Sequence, residues 1–299
     1  MDTSQLTVIV WTHRNMSLLR NTLRSMKAHT NPGYRVIVQV NEASDDSIDR
    51  VSRIISEEKV HGHALFFDGK DPSDNANVVV KHVKTMYCCI CHDDVVFVPG
   101  IDDFWERMLW PTADPLVGLV GPVSNIGDGY QGFMRTEAPE YVKAHNIHTP
   151  ITMFRTGFFN SMGGHDTNIK MGTAIDLSIR AHLAGFDLVV ARNAYIHHVG
   201  GASWGKLDRD QEKYNDFLAD TTNDFEDLLI RKFGLRVYYE YINRSNEWEQ
   251  ILRMYGDSGF EAITKRLSVK PEEWKPGHGL HYGSRSAGGM GRRTSPSWN

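Results

Sequence analysis

Four short apolar runs, each separated from the next by a stretch with helical spacing, limit what this chain can fold into. The runs are Leu6-Thr7-Val8-Ile9-Val10-Trp11, Arg35-Val36-Ile37-Val38-Gln39-Val40, Ala64-Leu65-Phe66-Phe67 and Met86-Tyr87-Cys88-Cys89-Ile90. They are rich in β-branched and aromatic residues and of strand length, so each predicts a buried strand. Between them lie Leu18, Leu19, Leu23 and Met26, then Ile48, Val51, Ile54 and Ile55, then Val79, Val80 and Val83. Each set falls on one face of a helix. Asn31-Pro32-Gly33 stops the first helix, and Ser44 or Asp46 is placed to cap the second. Alternating strand and helix implies an α/β domain built on a parallel sheet with right-handed crossovers. Ligands of such sheets bind beyond the carboxyl ends of the strands. The polar loops after Trp11, Val40 and Ile90 therefore line one crevice.

The loop after the fourth run carries the chemistry. Cys91-His92-Asp93-Asp94 follows the strand directly, and a second apolar run ends at Pro99-Gly100. Two adjacent carboxylates at the end of a buried element are costly unless solvent or a cation compensates them. A hard divalent ion, Mg²⁺ or Mn²⁺, prefers such oxygen ligands and completes its shell with phosphates. A solvated Asp-Asp turn is the alternative that this stretch alone leaves open.

Beyond residue 100 the pattern continues with a helix over 101–109 and a strand over 117–123. Residues 124–150 are irregular, with Gly127, Gly129 and Gly132, as a substrate loop is. Apolar residues 152–159 lead to the turn Met162-Gly163-Gly164-His165-Asp166. A helix from Asp176 to Ala184 stops at Gly185, and a strand over 186–191 is left by Tyr195-Ile196-His197-His198-Val199-Gly200-Gly201. A long amphipathic helix over 208–233 follows, with two further helical stretches around 248–255 and 260–267.

Charge and composition exclude some classes. The 299 residues carry a formal net charge of −4, so nothing global points to a polyanionic partner. From Lys275 onward there are four bases (Lys275, Arg285, Arg292, Arg293) and no acid, in a segment rich in glycine. No apolar run approaches the roughly 20 residues of a membrane helix. The opening Met1-Asp2-Thr3-Ser4-Gln5 lacks the basic region of a signal peptide. Cys88, Cys89 and Cys91 share one strand and cannot easily bridge, which predicts buried thiols in a reducing cytoplasm.

The order of these features resembles the nucleotide-sugar glycosyltransferases of GT-A fold, in particular glycosyltransferase family 2. Three segments carry the likeness across residues 6–205. Thr7 to Arg14, with Val38-Gln39-Val40-Asn41-Glu42-Ala43-Ser44-Asp45-Asp46, is similar to the opening strand and nucleotide loop. His92-Asp93-Asp94-Val95 looks like a variant of the Asp-x-Asp metal motif. Gly163-Gly164-His165-Asp166, Asp176-Leu177-Ser178-Ile179-Arg180 and His197-His198-Val199-Gly200-Gly201-Ala202-Ser203-Trp204 resemble the acceptor-side region.

The resemblance implies a Rossmann-like, mostly parallel central sheet flanked by helices, with a C-terminal helical extension. A catalytic domain spans 1–205, with a nucleotide-sugar half over about 1–100 and an acceptor half over about 101–205. The extension covers 206–270 and a basic, glycine-rich tail 271–299. Thr12, Arg14, Asn41 and Asp93 border the nucleotide. Asp94 and Asp93 ligate Mn²⁺ or Mg²⁺, with His198 or His197 as a third ligand. The donor is a nucleoside-diphosphate sugar, UDP-linked in the first instance.

Two departures matter. Asn41 stands where the family carries an Asp against the base. Where inverting members carry a Glu-Asp base, this chain has Gly172-Thr173-Ala174-Ile175. Asp176 or Asp166 could serve as base, the reaction could be retaining, or catalysis could be lost and leave a sugar-nucleotide-binding protein. Nucleotidyl transfer is disfavoured because Thr12-His13-Arg14-Asn15 contains no glycine. The acceptor is open: saccharide, protein, small molecule or, given the basic and aromatic tail, a hydroxymethylated DNA base.

Overall fold

The computed structural model describes residues 2–13, 15–69, 71–126, 129–132, 140–148, 150–169, 172–200, 225, 228–234 and 237. All of these belong to one unit, Met1–Asn243. The expected helices over 248–255 and 260–267, the basic tail and most of the 208–233 helix lie outside the described residues.

The first half follows the expected alternation. β1 (Leu6–His13) leads to α1 (Met16–His29), β2 (Arg35–Asn41), α2 (Asp45–Glu57), β3 (Gly62–Phe67), α3 (Pro72–His82) and β4 (Tyr87–His92). Local chemistry sets the helix starts. The Asn15 side chain accepts from the Leu18 amide, and Ser44 and Ser47 form a reciprocal capping box. α3 begins earlier than periodicity alone suggests, because Asp71 caps it and Pro72 occupies its first turn.

The second half is mixed. β5 (Val95–Phe97), α4 (Phe104–Leu109), β6 (Val117–Ser124), β7 (Tyr141–Ala144), β8 (Ile151–Arg155), α5 (Thr156–Ser161), α6 (Thr173–Leu183) and β9 (Asp187–His198) complete the described elements. The sheet runs β3-β2-β1-β4-β8-β6-β9-β5, with β7 pairing β9. Pairings among β1, β2, β3 and β4 are parallel, as is β6 with β9. β8 runs antiparallel between β4 and β6, and β5 and β7 run antiparallel to β9. The sheet is thus parallel through its first half only. The apolar stretch 152–159 also divides, into a strand and a short helix.

β9 extends further than the sequence suggests. Its register against β6 jumps so that Pro122↔Ala191 is followed by Val123↔Tyr195, a bulge holding Arg192, Asn193 and Ala194. Beyond it the strand continues to His198 and pairs with β5.

Both faces of the sheet are buried. Val8, Val10, Val38 and Cys89 pack with Leu19, Leu23, Val51, Trp105 and Met108 on the face of α1, α2 and α4. Ile9, Ile37, Ile90 and Phe154 pack with Val79, Val80, Phe159 and Leu177 on the face of α3, α5 and α6. Each fully buried side chain of this kind contributes about 1.5–3 kcal/mol. Burial on both sides explains why these strands read as continuous apolar runs. Cys88, Cys89 and Cys91 are free and buried, as their neighbours in the strand require. Among the described residues no helix is long and apolar enough to cross a membrane.

Candidate functional site: a His-Asp-His cluster at the carboxyl edge

The topology brings four strand ends together. β1, β2 and β4 are parallel, so Thr12, Asn41 and His92 emerge on one edge. β9 runs parallel to β6 and antiparallel to β5, so His198 arrives beside the turn that follows β4, opposite Val95.

That turn is held from behind. The Thr22 hydroxyl, on α1, reaches the carbonyls of Asp93 and Val95 at 2.6 and 2.7 Å. The Val199 amide donates to the Asp94 carbonyl at 2.9 Å. Asn125 fixes the other side, accepting from the His198 amide at 2.6 Å and donating to its carbonyl at 3.0 Å.

The two carboxylates then diverge. Asp93, 2% exposed, accepts from the Thr12 hydroxyl at 2.7 Å. Asp94, 4% exposed, turns to the histidines: its Oδ1 lies 3.1 Å from His198 Nε2 and 4.0 Å from His92 Nδ1. His92, Asp94 and His198 each offer one ligand atom, and these atoms lie within 4.8 Å of one another. Neither Asp94 Oδ1 nor His198 Nδ1 makes a hydrogen bond of ordinary geometry with any described residue. A buried carboxylate oxygen without a hydrogen bond is costly unless something else satisfies it. Two imidazoles and a carboxylate are a donor set that Mn²⁺ or Zn²⁺ accepts, so the residues fit a divalent metal. Burial works against ionising Asp94, but the nearby His198 and His92 outweigh it and hold the carboxyl below 3.8. Burial pushes His92 down to about 4, which leaves its imidazole neutral and able to ligate at pH 7.

The structure separates the sequence-predicted residues into two groups. Thr12 links two of them, since its carbonyl also accepts from Asn41 Nδ2 at 3.3 Å. Asn41 is committed to the protein: its Oδ1 accepts from Gln39 at 3.0 Å and from Asn75 at 2.7 Å. Asp94 and His198 come together, and His92 joins them where Asp93 was expected. His197 pairs with Val96 and is exposed. Arg14 lies outside the described residues. The signal for His92 was its position two residues before Asp94, at the very end of the strand. For His198 over His197 it was strand alternation, hidden by the bulge upstream.

Asp166 and Asp176 form the second group. Asp176, 0% exposed, receives Arg180 Nε at 2.8 Å and Lys232 Nζ at 2.7 Å, one on each oxygen. Lys232 Nζ also sits 2.5 Å from Asp166. That contact, more than any other, holds the Asp166 carboxyl below its ordinary value. Arg180 further donates to the carbonyls of Met162 and Gly164. Helix α6 and Lys232 thereby clamp the Gly163-Gly164-His165-Asp166 turn. Arg180 belongs to the Asp176-Leu177-Ser178-Ile179-Arg180 motif, whereas Lys232 is a neighbour that the sequence pattern did not point to.

No family model matches the chain, and no curated protein matches it. Solved structures do. The chain is similar to GalNAc-T7 with UDP, GalNAc and Mn²⁺, at 11% identity and TM-score 0.55, over 64% of this chain and 43% of that one. It is similar to the mannosyltransferase PcManGT from Pyrobaculum calidifontis in complex with GDP-Man and Mn²⁺, at 17% identity and TM-score 0.63, over 89% and 75%. It is also similar to S. aureus TarS 1–349 in complex with UDP, at 14% identity and TM-score 0.53, over 88% and 82%. The chain thus spans less than half the length of the GalNAc-T7 chain, and the shared feature at these identities is the fold, GT-A.

Proposed function

We propose that this GT-A-fold chain is a metal-dependent glycosyltransferase that moves a sugar from a nucleoside-diphosphate sugar, with UDP as the first nucleotide to test, to an acceptor hydroxyl. The observation that carries this is the His92, Asp94 and His198 cluster, with the Asp94 oxygen 3.1 Å from His198 but not aligned for a hydrogen bond, at the carboxyl edge of a parallel half-sheet. The structures it is similar to were solved with UDP or GDP-Man, two of them with Mn²⁺, which supports the same ligand class here.

His92, Asp94 and His198 would hold the ion. When bound, Mn²⁺ or Mg²⁺ supplies charge neutralisation to the diphosphate as the bond to the sugar breaks. Asp93, held by Thr12, presents its carboxylate toward the nucleotide, and Thr12 ties that group to Asn41. Asn41 has both lone-pair sites of its oxygen occupied, which leaves an amide N–H as its capacity toward a base. On the acceptor side, Asp176 is read as a positioning residue, because it is fully buried and ion-paired on both oxygens. Asp166, whose side chain is 22% exposed, is the one of the pair that an acceptor hydroxyl can reach, and is the candidate base. Residues 1–205 form the catalytic unit in this reading, with about 1–100 serving the donor and about 101–205 the acceptor. Lys232, from the segment beyond, supports the acceptor half.

A second reading is a sugar-nucleotide-binding protein without turnover. The observation favouring it is that both base candidates are neutralised by Lys232. One experiment separates the two. Thermal stability is measured with UDP, GDP and their sugar derivatives in the presence of Mn²⁺, and release of free nucleotide is followed with acceptor pools. Metal-dependent stabilisation with nucleotide release supports transfer, and stabilisation without release supports the binding protein. No stabilisation by any nucleotide overturns both. Asp94→Ala is expected to abolish the metal-dependent stabilisation.

A further inference from the structure

A column of rings runs from the metal cluster into the core. The His92 ring lies 6.1 Å from that of His198 and stacks on Trp11 at 5.8 Å and 19°. Trp11 meets the edge of His165 at 5.9 Å and 73°. His165 meets Phe159 at 5.1 Å and 82°, and Phe159 stacks on Phe154 at 4.7 Å. His165 is 5% exposed, and neither of its ring nitrogens makes a hydrogen bond of ordinary geometry with a described residue. Its ring packs on Trp11 and Phe159, with the Thr173 backbone and the Arg180 charge also beside it.

The backbone under His165 is fixed with unusual completeness. Asn77, on α3, accepts from the His165 amide at 2.8 Å and donates to its carbonyl at 2.9 Å. Gly164 makes room for this: it sits at φ +76°, and a Cβ there would overlap the Asn77 carboxamide. Arg180 holds the Gly164 carbonyl from the other side at 2.7 Å. A ring on so rigid a support can set the position of its neighbour. A stacked neighbour in turn restricts the plane of a ligating imidazole, which is what outer-sphere groups do for metal ligands.

We propose that His165 is a positioning residue for the metal cluster, setting Trp11, which in turn sets the plane of His92. In taking His92 as a metal ligand it rests on the function proposed above. The Gly163-Gly164-His165-Asp166 turn thereby becomes the outer wall of the donor site as well as a border of the acceptor side.

The test is Mn²⁺ affinity of the full chain without nucleotide, read from the electron paramagnetic resonance of free Mn²⁺. His165→Ala is expected to raise the Kd about tenfold or more, as loss of an outer-sphere partner does. His165→Phe keeps a ring and is expected to stay within about threefold of the native chain. Gly164→Ala, which displaces Asn77, is expected to weaken binding in the direction of His165→Ala. Val51→Ala, in the core on the opposite face and on α2, is the control: it lowers stability and leaves the Kd unchanged. Native-like affinity in His165→Ala overturns the proposal, as does equal weakening in Val51→Ala or in His165→Phe. Should His165→Ala fail to fold, His165→Leu, which keeps bulk but removes the ring, decides, and an unchanged Kd there overturns it. A native chain that binds no Mn²⁺ instead removes the metal-dependent function itself.

Discussion

His198 Nε2 and Asp94 Oδ1 lie 3.1 Å apart, yet the carboxylate oxygen is left without a properly aligned hydrogen bond. Two groups aimed at a common point, more than at one another, have this relationship. His198, the last residue of β9, is the proposed third ligand on this geometry.

His198→Ala should therefore weaken Mn²⁺ binding by more than the about 10–100-fold that changes around a metal's ligands cost. His197→Ala, on the exposed face, should leave it unchanged. Titration of both variants with Mn²⁺ checks this, and equal effects would show that the strand's facing has been misassigned.

Lys232→Met removes one of two cations from a carboxylate that is 0% exposed. Breaking a buried pair costs about 3–5 kcal/mol. The Lys232 side chain is 31% exposed, so a loss of about 2 kcal/mol is expected, or roughly 4–8 °C in Tm. Arg50→Ala breaks an exposed pair with Asp46 and should cost under about 0.5 kcal/mol. Calorimetry of both variants would expose an error if they behaved alike.

His165 contributes a pH dependence of known sign. Burial first, then the charge of Arg180, lowers it to about 4 in the folded chain, against about 6.5 unfolded. The unfolded state takes the proton first, so stability is full above pH 6.5 and falls as pH drops toward 4. The loss attributable to this group is about 3 kcal/mol. His165→Phe should lose correspondingly less between pH 7 and 4.5 in urea unfolding of the metal-free chain. Parallel losses in the two proteins would contradict the assignment.

Asp166→Asn should lower transfer by about 10²–10⁴-fold, with Mn²⁺ and nucleotide affinity intact, if it is the base. Asp176→Asn should instead lower Tm, because its partners Arg180 and Lys232 lose a buried counter-charge. Full transfer by Asp166→Asn would move the base elsewhere.

Much of the first half was legible from periodicity. The runs at Val8, Val36 and Cys89 are buried on both faces, so they announce themselves as strands, and the parallel order follows from the helices between them. The second half was not legible in this way. The antiparallel insertion of β8 beside β4 is a long-range pairing with no local marker. His92 was passed over as a ligand because two adjacent carboxylates, the usual ligands of a hard ion, follow it directly. The commitment of Asn41 to Gln39 and Asn75 depends on packing of α3 against β2, and the partner of Asp176 lies 56 residues away.

The bulge in β9 has a bearing on evolution by insertion and deletion. Three surplus residues, an odd number, invert which side each later residue of the strand presents. The phase in which His198 meets Asp94 is thus counted from Arg192, Asn193 and Ala194. Arg107, reaching from α4 to the Asn193 carbonyl at 2.8 Å, is the peg that keeps the count. A hydrogen bond from α4 thus holds the segment whose length sets which of two tandem histidines faces Asp94.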